Sequence, residues 1–191
     1  MSSLSQIPTI VPLRILIGAG EQRWDGWLAT HRKQLDLLER RTWERFFGDR
    51  RADALVCEHV WEHLTEEQGR DAARLCFEFL EPGGFLRCAV PDANFPDAAY
   101  QATVQVGGPG PADHPAADHR IVYDHRRFRD VFASAGFDVD LLEYCDESGR
   151  FHYNEWSLAS GPIYRSLMMD HRNRDGRLGF VSLIVDARKP R

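Results

Sequence analysis

The hydrophobic positions of the chain fall into short continuous runs that alternate with stripes of helical period. Leu13, Ile15, Leu16 and Ile17 make the first run, which ends in Gly18-Ala19-Gly20. Runs of this length, rich in β-branched residues and closed by glycine, predict buried strands. Ala52–Cys57 and Phe85–Val90 repeat the pattern, the second stopped by Pro91-Asp92, and Val139–Cys145 and Phe180–Ala187 supply two more. Trp27–Thr30 predicts a short second strand, Gln34–Leu38 an extended or turn segment, and Trp43–Phe47 one or two helical turns closed by Gly48.

Between the later runs the period changes. Thr65 and Gln68 spell a capping box, and Glu66 and Glu67 suit the positive end of a helix dipole. Ala72, Ala73, Cys76, Phe79 and Leu80 then mark one helical face, ended by Pro82-Gly83-Gly84. Asp124 is placed to cap a further helix whose stripe is Phe128, Val131, Phe132 and Ala135 and whose end is Gly136. Strand, helix, strand, helix, strand implies an α/β fold with a mostly parallel sheet. The last two strands lack a crossover helix, which predicts an antiparallel C-terminal edge. Met1–Pro12 reads as an N-terminal arm and residues 13–191 as one domain. Residues 92–118, rich in proline and glycine, read as a lid-like loop with one helical stretch at Asp97–Val104. Asp146–Gly179 carries no assignable period.

Composition narrows the function classes. A formal net charge of −5 argues against a general nucleic-acid binder. No apolar run of membrane length and no secretory leader stands out, and four widely spaced cysteines without a CxxC pair suit buried thiols in a reducing compartment. A cytoplasmic protein is the expectation.

Candidate chemistry gathers where strands end. In an open parallel sheet, ligands sit at the carboxyl ends of the strands. Gly18-Ala19-Gly20 lets a ligand approach the main chain there, although Arg23 at the sixth position breaks the full dinucleotide fingerprint. Glu58 and His59 open EHVWEHL after the next strand and line the same crevice. His59 and His63 would share a helical face, but the order is not HExxH, and no metal is expected. Asp92 and Asn94 are placed either to hold a ligand's ammonium or hydroxyls or to cap a turn. His114, Asp118, His119, Tyr123 and Asp124, with His152 and Tyr153 later, are dense enough in His and Tyr to position a substrate or supply a general base.

Taken together, ILIGAG and ALVCEHVWEHLTEEQGRDAARLCFEFLEPGGFLRCAVPD resemble the core of the class I S-adenosylmethionine-dependent methyltransferases, and more narrowly their small bacterial members. The resemblance implies a three-layer Rossmann-like fold, compacted between the family's first and fourth strands, where only 31 residues separate Gly20 from Ala52. It implies S-adenosyl-L-methionine as cofactor, with Gly18, Ala19 and Gly20 beneath the methionine part and Glu58 and His59 near the sulfonium. The acid that usually follows strand two is replaced by Thr30 or His31, so Asp36 is the residue expected to reach the adenosine. His119, Tyr123 and His152 are candidates for positioning the acceptor or removing its proton, while Asp92, Asn94 and His114 are candidates for binding it. The implied acceptor is a small molecule, neither nucleic acid nor membrane, and a homodimer stays open. A cyclase releasing methylthioadenosine and a non-catalytic nucleoside-binding or interaction module stand beside methyl transfer.

Overall fold

The first apolar run is β1 (Arg14–Ile17) in a computed structural model that describes residues 12–191, so the predicted arm lies, apart from Pro12, outside the described residues. In chain order there follow β2 (Leu28–Ala29), α1 (Arg40–Phe47), β3 (Ala52–Glu58), α2 (Glu66–Phe79), β4 (Leu80–Pro91), α3 (Ala98–Val104), α4 (His125–Ala133), β5 (Asp138–Cys145), β6 (Phe151–Tyr153) and β7 (Ser182–Arg188). Three-residue-per-turn helical pieces occupy Trp61–His63, Leu158–Ser160 and His171–Gly176.

The strands form one seven-stranded sheet in the order β2-β1-β3-β4-β7-β5-β6. The first four are parallel, and β7 runs antiparallel between β4 and β5. This is the α/β architecture with an antiparallel C-terminal strand that the sequence predicts. The capping box is formed: Thr65 Oγ1 accepts from Gln68 N, and the Gln68 side chain accepts from Thr65 N. The helix stops at Phe79 rather than at Pro82, because Leu80 already pairs with Ala52 as the first residue of β4. Asp97 and Asp124 cap α3 and α4.

All three longer helices pack on one face. Trp43 and Phe47 of α1, Ala72, Cys76 and Phe79 of α2, and Phe128 and Phe132 of α4 share a core with Ile15, Ile17, Leu55 and Cys57. The alternation of β1 and β3 sends Leu16, Ala54 and Val56 to the opposite face. There the covering layer is built without long helices, from Trp27, Trp156 and Ile163. The short connection from β1 to β2 leaves no room for a crossover helix, so the 154–170 segment takes its place.

A non-helical cover must find partners for its backbone polar groups, and three buried ionisable side chains provide them. Arg87 Nη1 donates to Ser157 O at 3.0 Å and Gly161 O at 2.7 Å, while Nε and Nη2 engage Asp186 at 2.7 and 2.9 Å. Glu143 accepts from Trp156 Nε1 at 2.9 Å and Leu167 N at 2.8 Å. Glu58 accepts from Tyr164 N at 2.9 Å and Arg165 N at 2.8 Å. Among the described residues, no helix is long and apolar enough to cross a membrane.

Candidate functional site

The glycine bend sits at the carboxyl end of β1, beside the end of β3. Gly18 has φ +63°, and a Cβ on it would stand 2.9 Å from Val60 Cγ2. The left-handed backbone favours glycine there, and the Val60 methyl packs against the bend where a side chain would stand. Ala19 is buried, and its N–H donates to Thr30 O at 2.9 Å. Thr30 in turn donates both its N–H and its hydroxyl to Leu16 O. Its side chain therefore fastens β2 to β1 and is not free for a ribose. His31 is exposed and opens a turn, its N–H donating to Gln34 Oε1.

Asp36 is better placed. It shares a cavity of about 400 Å³ with Gly18, and Leu35, Leu37, Val60, His63 and Leu64 form other walls. Burial works against the charge of Asp36, but hydrogen bonds from Arg32 and Leu38 N outweigh it and hold the carboxyl below its ordinary range. The cavity thus combines apolar walls, an ionised acceptor and a side-chain-free bend, within the size range of small-molecule sites.

Glu58 lies next to this bend but turns to the other face of the sheet. Besides Tyr164 N and Arg165 N it accepts from Gln22 Nε2 at 2.9 Å, so both its oxygens are engaged within the chain. His59 has φ +53°, the only positive φ outside glycine among the described residues. That bend takes it out of the helix in which it would have shared a face with His63. Its Nε2 lies 2.9 Å from Ser182 Oγ, and its Nδ1 is 3.0 Å from Glu62 Oε1.

A second cavity, of about 320 Å³, adjoins the first across His63, a wall of both. His59, Glu62, His114 and His119 also line it. His119 is buried, which lowers its pKa, and its Nδ1 lies 2.8 Å from Val104 O. A ring nitrogen facing a carbonyl carries the proton, so the His119 lone pair is on Nε2. His114 Nδ1 accepts from Ala116 N at 3.1 Å.

The other predicted residues lie elsewhere. Asp92 is fully buried and accepts from Asn94 N at 2.8 Å and Cys145 N at 2.6 Å; burial raises its pKa to about 6. Asn94 Nδ2 donates to Cys145 O. This pair joins the end of β4 to β5 and serves as a turn cap. Tyr123 is wholly buried against Phe128, its hydroxyl lacks a hydrogen-bond partner among the described residues, and it lines neither cavity. His152 lies on β6, five strand spacings or roughly 24 Å from β1, stacked on Tyr144 and bonded to Asp146. Of the acceptor-side candidates, then, only His119 and His114 line the second cavity. Their partner Glu62 was missed, because a lone glutamate before His63 carries no spacing signal of its own. The loop that supplies both histidines is anchored by α3, whose Tyr100 hydroxyl donates to Val181 O at 2.7 Å.

No family model matches the chain, and no curated protein matches it. Among solved structures, an S-adenosylmethionine-dependent methyltransferase from Archaeoglobus fulgidus matches at a TM-score of 0.52 and 12% identity, over 94% of this chain and 87% of that one. An O-methyltransferase family protein from Burkholderia thailandensis (TM-score 0.48, 11% identity) matches over 86% of this chain and 36% of its own. The S-adenosylmethionine-dependent methyltransferase SibL (0.49, 14%) matches over 87% and 37%. The chain spans just over a third of the length of the last two. The Archaeoglobus match establishes the fold: a Rossmann-like sheet of the class I methyltransferase type.

Proposed function

We propose that this chain binds S-adenosyl-L-methionine in the Gly18–Asp36 cavity and transfers its methyl group to a small acceptor in the neighbouring cavity. The observation that carries this reading is the meeting of Gly18 and Asp36 on one cavity, with His63 dividing it from a second, histidine-lined one. The residues fit the nucleoside part of such a ligand: Leu35, Leu37 and Leu64 offer apolar surface to a base and Asp36 an acceptor to ribose hydroxyls. Glu58 does not fit the role the family resemblance gives it, since Gln22, Tyr164 and Arg165 engage it.

The cofactor supplies a methyl group already activated on sulfonium, so the protein's share is alignment and exclusion of water. Gly18, without a side chain, adds no bulk to the cavity wall. His119 presents a neutral imidazole nitrogen to the second cavity, where it orients the polar atom of an acceptor. Asp118 holds the His63 ring through Nδ1 at 2.7 Å, which fixes the partition between the two cavities.

A second reading, a non-catalytic nucleoside-binding module, is favoured by the engagement of Glu58. Calorimetry with S-adenosylmethionine, followed by mass spectrometry after incubation with and without small acceptors, separates the readings. We expect binding that Asp36→Ala weakens about tenfold or more, the loss of one hydrogen bond to a charged group, and demethylated cofactor that accumulates only with an acceptor. Methylthioadenosine formed without an acceptor would establish cyclisation instead. Binding with no turnover selects the module, and a flat titration removes the cofactor assignment.

A further inference from the structure

We infer that Glu62, His63 and His119 form a binding site for one divalent transition-metal ion of the zinc or iron class. One donor atom from each of the three lies within 4.8 Å of the others. Two imidazoles and a carboxylate are a donor set that such ions accept, with positions left open for a further ligand.

The state of each donor supports this assignment. Glu62 is 1% exposed, yet neither carboxylate oxygen has a hydrogen-bond partner among the described residues. His59 Nδ1, 3.0 Å from Oε1, is out of line to donate. A buried carboxylate so poorly matched by hydrogen-bond donors is costly, and a bound cation relieves that cost. Both histidines are already oriented as ligands usually are, with the second ring nitrogen held by an oxygen. His63 Nδ1 faces Asp118 Oδ1 at 2.7 Å and His119 Nδ1 faces Val104 O at 2.8 Å, leaving Nε2 of each to bind. The two rings meet edge to face with centroids 4.9 Å apart.

The scaffold is fixed as well. Arg120 N donates to Glu62 O at 2.8 Å, so the segment that carries His119 is fastened to the backbone of Glu62 itself. All three donors line the 320 Å³ cavity, which gives an ion a route in and room for an exogenous ligand. In the loaded protein, an acceptor's polar atom would meet the ion rather than His119; that role rests on the proposed methyl transfer, whereas the binding of the ion does not.

The test uses the full chain, stripped with a chelator and titrated with Zn²⁺ alone, without S-adenosylmethionine. One ion per chain and a rise in Tm are expected. Glu62→Gln and His119→Ala should each weaken binding by at least about 10–100-fold, the loss that follows even when a ligand's hydrogen-bond partner is removed. His152→Ala, on the far edge of the sheet, should bind as the parent does. Co²⁺ in place of Zn²⁺ should give visible bands without thiolate charge transfer, which separates this site from the buried cysteines. Circular dichroism confirms that each variant folds, and Glu62→Gln, close in shape to the parent, guards against loss of structure. A parent protein that takes up no Zn²⁺, a thiolate signature with Co²⁺, or equal affinity in the folded Glu62→Gln and His119→Ala variants would overturn the site.

Discussion

At the scale of single residues, burial decides what the acidic groups can do. Glu143 is fully buried, and burial raises its pKa from 4.5 to about 7, ahead of the opposing hydrogen bonds from Leu167 and Trp156. Between those values the native state holds the proton more tightly than the unfolded chain, so stability falls as pH rises through the window. Asp92 acts in the same sense between 3.8 and about 6. The stretch from pH 6 to pH 7.5 therefore belongs to Glu143 rather than Asp92. Urea midpoints of the parent and of Glu143→Gln, compared across that stretch, should diverge: the parent loses stability relative to the variant as pH rises. His119, lowered and opposite in sense, is common to both proteins and cancels from the comparison. Parallel profiles would place Glu143 outside this balance. Residue identity alone did not reveal these positions. Asp92 and Asn94 suit a turn cap and a ligand site equally well, and only the hydrogen bonds to Cys145 decide between them.

Elements whose stability is local were legible in the sequence. The Thr65–Gln68 box was predicted from four adjacent residues and forms as spelled. Thr65→Ala removes it and should cost about 1 kcal/mol. In a protein of this size that lowers Tm by roughly 2–4 °C, which calorimetry reads directly. β1, β3, β4, β5 and β7 were legible for the same reason, since each is a continuous or alternating apolar run. EHVWEHL was less legible. His59 and His63 would share a face only on a helix, and a left-handed bend at His59 and a tight turn over Trp61–His63 send the two rings to different partners. The residue that does join His63 is His119, 56 positions on, and no local pattern links them.

At the scale of the whole molecule, the non-helical face depends on buried ion pairing. Arg87 and Asp186 are 2% and 1% exposed and join β4 to β7 while carrying the 157–161 backbone. Arg87→Ala leaves Asp186 paired, among the described residues, with the half-exposed Arg188 alone and should cost about 3–5 kcal/mol. Denaturant unfolding would show the loss, and hydrogen exchange should rise most in residues 154–165; a uniform rise would mean that this segment is held some other way. No pattern was legible over 146–179 because the anchors of that segment are remote: Tyr164 and Arg165 meet Glu58 106 and 107 positions back.

That remoteness also sets an order of events. Closing loops of such length precedes any gain from the contacts they bring. The 154–170 cover cannot find Glu58, Arg87 or Glu143 until β3, β4 and β5 already stand in register. The molecule is therefore expected to assemble its helical side and its sheet as a foundation and to roof the opposite side last.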